Sequence, residues 1–232
     1  MRCSYSGNTL AFQANAESSI LLPRSTNMST KLTLRANNAS RIHHPYIVWD
    51  DFLTSAEISA IINYCDSKGV NPAAVFVNDA NSVSDSIRKS DAMLHSPNND
   101  NIWIFEKLKS IAEFINDEFF RYDLTGFEFF QYAVYDGPGS NYNFHMDMAM
   151  GENIPEHLHQ ARKLSFSLIL SDTTEYSGGE FEIKMSEHSA LTVEQKLGRI
   201  IAFPSFMMHR VAPLLSGKRK SIVFWVLGPK FK

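Results

Sequence analysis

From Phe127 onward the chain is a train of short segments, "FEFFQYAVY", "RKLSFSLILS", "GGEFEIKM", "LTVEQ", "GRIIAFPS" and "RKSIVFWVL". Each is rich in β-branched or aromatic residues, and Gly, Pro, Asn or Ser clusters separate them. Strands this short bury little alone and must pair into sheets that cover one another. Preceded by two helices, they predict a mainly β fold with flanking α: an antiparallel sandwich or jelly roll with the N-terminal helices packed on one side.

The helices are written upstream. After "HPYIVWDDFL", Thr54 and Glu57 make the S/T-x-x-E capping pattern, and Ile58, Ile61, Ile62 and Cys65 recur at helical spacing. Gly69 and Pro72 close that element. A second amphipathic helix is expected over 101–120, with Ile104, Leu108, Ile111, Ala112 and Ile115 on one side. Residues 78–100 are polar and read as a loop around a short piece near Arg88. Residues 1–41 carry one acidic residue, Glu17, against several arginines and many serines. They are expected to be a disordered extension, with 42–232 forming a single domain.

With 232 residues and 44% hydrophobic content, the chain can bury one sizeable core. A net charge of −3 argues against a nucleic-acid partner, and no apolar run approaches a membrane span. Two cysteines, Cys3 and Cys65, offer neither a disulfide framework nor a thiolate metal site. A cytoplasmic location is the expectation, with organellar import through residues 1–41 as the alternative.

Polar side chains inside such a β region need a reason. The stretch "NFHMDMAMG" reads as the end of a strand, and His145 and Asp147, two apart, are expected on one face of it. His209 follows "RIIAFPSFMM" at the expected end of a strand, and Arg219 opens the next, sharing a face with Ser221, Val223 and Trp225. Two imidazoles and one carboxylate suit non-haem Fe(II) and leave positions open for substrate and O2. An inward arginine adds a fixed fork for a carboxylate ligand. Zinc also accepts two histidines and a carboxylate, but would leave the arginine without a task.

Three stretches carry a family resemblance: "QYAVYDGPGSNYNFHMD" (131–147), "RKLSFSLILSDTTEYSGGEFEI" (162–183) and "GRIIAFPSFMMHRVAPLLSGKRKSIVFWVLGP" (198–229). They resemble the prolyl 4-hydroxylase-like Fe(II)/2-oxoglutarate dioxygenases, including the PKHD-type hydroxylases. The resemblance implies a double-stranded β-helix, with Fe(II) held by His145, Asp147 and His209. It implies Arg219 on the distal carboxylate of 2-oxoglutarate, with Tyr135 lining that pocket and Ser221 or Ser165 adding a hydroxyl. Ile169 departs from the pattern, because some relatives have a tyrosine there and the clamp then lacks one donor.

By the same resemblance the protein uses O2, with ascorbate as reductant, and hydroxylates a prolyl or other residue of a peptide or a free amino acid. Succinate and CO2 are the co-products. A cupin-like sensor that binds but does not turn over is one alternative, and a nucleic-acid demethylase of the same superfamily is another. His157 and His159 imitate a ligand pair within a polar stretch and are assigned to a loop. Tyr132, Tyr142 and Phe144 are candidates for the substrate mouth, although core packing is the simpler reading. Arg88 is a candidate for substrate contact. Oligomeric state is not legible.

Overall fold

The computed structural model describes residues 45–77, 80–148 and 161–229, with side chains described outside 75–82. Strand β1 (Ile47–Trp49) leads into helix α1 (Ser55–Lys68). Short strands β2 (Asn71–Pro72), β3 (Ala74–Val77), β4 (Ala80–Val83), β5 (Arg88–Lys89) and β6 (Asp91–His95) precede helix α2 (Ile102–Ile115). Then come β7 (Phe130–Asp136), β8 (Asn141–His145), β9 (Ala161–Ile169), β10 (Tyr176–Gly178), β11 (Phe181–Ser186) and β12 (Ser189–Val193). The last strands are β13 (Ile200–Pro204), β14 (His209–Val211) and the long β15 (Leu214–Gly228).

Most of these strands form two sheets. The larger runs β1-β13-β9-β15-β7-β6-β2, with β10 also pairing with β15. The smaller runs β12-β11-β14-β8-β5, and β3 and β4 pair apart as a hairpin. Among the described residues every pairing of these strands is antiparallel, from β1 with β13 to β6 with β7. This is the expected mainly β architecture, a double-stranded β-helix with helices on one side.

Period-two alternation gives the larger sheet two buried faces. Phe130, Tyr132, Phe166, Leu168, Ile222 and Phe224 turn one way and pack with Ile61, Ile104, Leu108 and Ile115 of the helices. Ala133, Tyr135, Ile169, Ile201 and Phe203 turn the other way and meet Phe181, Ile183 and Val211 of the smaller sheet. The helix side is a closed hydrophobic core. The space between the sheets holds the polar residues of the site.

Helix α1 begins as its sequence predicts. The Thr54 hydroxyl accepts from the Glu57 amide, and the Glu57 carboxylate accepts from the Thr54 amide at 2.8 Å. Helix α2 ends earlier than the expected 120. Beyond Ile115 the backbone widens into a π-helical turn, Asn116–Phe120. The Arg121 amide reaches back to the Asn116 carbonyl, while the Asn116 side chain bonds both backbone groups of Tyr122. That side chain competes with the helical ladder and turns the chain.

The loop expectation for 78–100 is overturned. β5 is the short piece expected near Arg88, but β4 and β6 also lie within the stretch, and β6 joins the larger sheet by pairing with Phe130–Val134. Asp91, Ala92 and Met93 are half-buried and Leu94 is exposed, so this edge region lacks the apolar alternation of an inner strand. Residues 1–44, for which a disordered extension was expected over 1–41, lie outside the described residues, as do His157 and His159.

Candidate active site

Strand pairing, not sequence proximity, assembles the cluster. β14 pairs with β8 so that His209 lies opposite His145, with ring centroids 4.2 Å apart. β8 ends at His145, so Asp147 is not on the strand as expected. The chain has turned there, and the amides of Asp147 and Met148 both donate to the Ser205 carbonyl at 3.0 and 3.1 Å. That anchor still directs the Asp147 carboxylate at the histidines. His209 begins β14 and does not close β13, because the chain turns after Pro204, whose carbonyl accepts from the Met207 amide.

Candidate ligand atoms of His145, Asp147 and His209 all lie within 4.8 Å of one another. Each imidazole sends Nδ1 to a backbone carbonyl, His145 to Asn143 at 2.8 Å and His209 to Met207 at 3.0 Å. A carbonyl only accepts, so in the neutral rings Nδ1 carries the proton and Nε2 presents a lone pair. The two Nε2 atoms then face the carboxylate at 3.5 and 3.4 Å.

Three electron-pair donors converge there, and Asp147 Oδ2 is buried without a hydrogen bond. This is costly unless a cation or proton occupies the centre. Burial would raise the Asp147 carboxyl, but when the His209 and His145 imidazoles carry a second proton they, with the Ser165 hydroxyl, hold it well below the usual carboxylate range. Burial pushes the His209 imidazole down, toward the neutral form. The set fits a divalent transition metal that accepts imidazole and carboxylate.

Further along β15, Arg219 is 1% exposed. Its Nε donates to Gln195 Oε1 at 2.8 Å and its Nη1 to Ser221 Oγ at 3.2 Å, while Nη2 is buried without a partner. β7 places Tyr135 opposite Arg219, with the guanidinium 5.4 Å from the ring centroid. Ser165 sits elsewhere. Its hydroxyl bonds Ser205 at 2.9 Å, and it lies four positions along β9 from Ile169, the residue opposite Ser221. At strand rise that is roughly 13 Å along β9 from Ile169. Ser165 therefore lies toward Asp147, where its hydroxyl acts on that carboxylate.

Aromatic and cationic side chains line the approach. Tyr142 stacks on His145 at 3.5 Å, and Arg88 lies 4.6 Å from the Tyr142 ring with its Nε on Ser90. Tyr132 lies on the helix side, fully buried and hydrogen-bonded to Asp66 at 2.6 Å, so it is core. Phe144 faces outward under Arg210 and Lys184.

Three residues were missed. Arg162 donates to the Asp147 carbonyl at 3.2 Å and lies 4.1 Å from the Trp225 ring. Its place at the head of the strand "RKLSFSLILS" is the available signal. Tyr176 stood inside a quoted motif without a role. Gln195 carried no signal, because only the fold brings it to Arg219.

Residues 130–227 match the family model of the 2OG-Fe(II) oxygenase superfamily. The matched segment holds His145, Asp147, His209 and Arg219. A PKHD-type hydroxylase of Synechococcus sp. (strain CC9902) is 36% identical over 88 residues, 38% of this chain and 36% of that protein. A PKHD-type hydroxylase of Janthinobacterium sp. (strain Marseille) is 35% identical over 94 residues, 40% of each chain. The similarity thus spans well under half of these curated relatives.

Solved structures share the fold over more of the chain. A Pseudomonas putida prolyl-4-hydroxylase has a TM-score of 0.63 at 20% identity, covering 81% of this chain and 94% of that one. A Trichoplax adhaerens prolyl hydroxylase, in complex with a peptide fragment of the hypoxia inducible factor oxygen degradation domain, has a TM-score of 0.62 at 17% identity, covering 79% and 83%. No helix among the described residues is long and apolar enough to cross a membrane.

Proposed function

We propose that this protein is an Fe(II)- and 2-oxoglutarate-dependent dioxygenase that hydroxylates an aliphatic C–H bond. The substrate is a prolyl or other residue of a peptide, or a free amino acid. One observation carries the reading: among the buried groups without partners between the sheets are an anion among lone pairs, Asp147 Oδ2, and a guanidinium edge, Arg219 Nη2. A metal answers the first, and a carboxylate of the co-substrate answers the second.

In this reading His145, Asp147 and His209 hold Fe(II), and Arg219, Ser221 and Tyr135 bind 2-oxoglutarate. When bound, the iron supplies the oxidising chemistry with O2 and 2-oxoglutarate, releasing succinate and CO2, and ascorbate serves as reductant. The protein's own work is positioning. Asn143 and Met207 carbonyls fix the imidazole tautomers, and Ser165 and Ser205 support the carboxylate end. Phe181 and Phe203 pack against His209 and keep its surroundings apolar.

Tyr142 with Arg88, and Trp225 with Arg162, flank the cluster and favour a substrate with peptide carbonyls or a carboxylate. The peptide in the Trichoplax adhaerens complex supports the peptide form of the reading. The deciding assay measures iron-dependent succinate release and a mass gain of one oxygen atom across peptides and free amino acids, with ascorbate present. His145→Ala and Arg219→Ala should each lower turnover by about 100-fold or more. Undiminished turnover in both variants overturns the proposal.

A further inference from the structure

We propose that the Tyr176 hydroxyl and the Arg219 guanidinium together grip the distal carboxylate of 2-oxoglutarate, with Gln195 as the positioning residue that turns the guanidinium toward it. The inference rests on the co-substrate reading above. It answers the vacancy at Ile169, where the motif offers no hydroxyl.

Three features of the fold converge on Tyr176. β10 pairs with β15 so that Tyr176 lies opposite Gly217, one strand repeat before Arg219. Diagonal neighbours across a sheet are within reach of aromatic and long side chains. Gly179, at φ +66°, marks the meeting point: a Cβ there would stand 3.2 Å from Arg219 Cδ and 3.8 Å from Tyr176 Cδ2. Tyr176 is 9% exposed, and its hydroxyl, like Arg219 Nη2, has no hydrogen-bond partner. Two adjacent buried donors without an acceptor define a place for an anion. Burial raises the Tyr176 phenol, so it stays protonated and donates.

Gln195 explains why the free edge of Arg219 points inward. Its Oε1 accepts from Arg219 Nε at 2.8 Å, and its Nε2 donates to the Gly179 carbonyl at 3.0 Å. Both amide ends are used, so the side chain cannot flip without losing both bonds. The acceptor is neutral. A carboxylate in its place would pair with the guanidinium and compete with the ligand.

The test uses the full chain loaded with Mn(II), which blocks turnover, and titrates 2-oxoglutarate by calorimetry. Tyr176→Phe and Gln195→Glu should each weaken 2-oxoglutarate binding by about ten-fold or more. Mn(II) affinity should be unchanged in both. In the iron-loaded enzyme, KM for 2-oxoglutarate should rise while kcat at saturation holds. Wild-type affinity in Tyr176→Phe overturns the inference and leaves the co-substrate reading standing. Equal losses of Mn(II) and 2-oxoglutarate binding reveal a merely structural role and also overturn it. A wild-type chain that binds Mn(II) but not 2-oxoglutarate overturns both.

Discussion

Two histidines show how burial sets the role of one side chain. His209 is buried among Phe181 and Phe203 with Nε2 facing Asp147, and burial favours the neutral ring that a metal needs. His95 is buried on the helix side, stacked on Phe130 at 4.9 Å, and its Nε2 has no partner. Burial lowers its imidazole below the usual value, with Lys68 adding to the effect. The unfolded chain then takes up its proton more readily than the folded one. Stability is therefore fully present above the unfolded value, about 6.5, and falls as pH drops through the folded one. Urea unfolding between pH 7.5 and 5 should show a smaller acid-side loss in His95→Phe than in the wild type. A parallel loss in the two proteins would contradict this.

Single ties at strand and helix ends decide whether the elements stay in register. Arg199, just before β13, forks onto Asp50, just after β1, with Nε and Nη2 each at 2.8 Å from a carboxylate oxygen. The Arg199 hydrogen bond holds the Asp50 carboxyl below its ordinary value. Arg199→Met leaves Asp50 largely buried without its main partner and should cost about 3 kcal/mol in chemical denaturation. Replacing Asp50 as well, with Leu, should recover most of the loss. At the other end of that corner, Thr54→Ala removes half of the α1 capping box and should cost about 1 kcal/mol.

At the scale of the molecule, the larger sheet separates a stability core from a chemical cavity. Leu108 of α2 is 1% exposed on the helix side, far in the packing from the lone-pair cluster. Leu108→Ala should cost about 2–5 kcal/mol, while the folded variant keeps wild-type Mn(II) affinity in calorimetry. Conversely, a metal that binds only the folded chain should add about 2.7 kcal/mol at a hundred-fold excess over Kd. The melting temperature should rise with added Mn(II), and that rise should vanish in His209→Ala.

Much of this was legible in the chain alone. The α1 cap at Thr54, the apolar stripe of α2 and the main strands are local patterns whose physics acts within a few residues. His145, Asp147, His209 and Arg219 were visible because polar side chains in apolar strands have few other uses, and the family resemblance named those uses. What lay beyond reach was set by long-range pairing. β6 has no apolar alternation of its own and owes its strand form to its partner β7. Asp147 left its strand because Ser205, remote in sequence, accepts its amide. Ser165 and Ile169 share β9 yet stand apart along it, one beside Ser205 and the other opposite Ser221. Tyr176 and Gln195 reach Arg219 through a strand pairing and a loop, and no spacing along the chain records such a meeting. Local sequence determined which elements form and which residues carry chemistry. Tertiary structure alone decided their neighbours, because the space between two sheets is built from residues that only sheet pairing brings together.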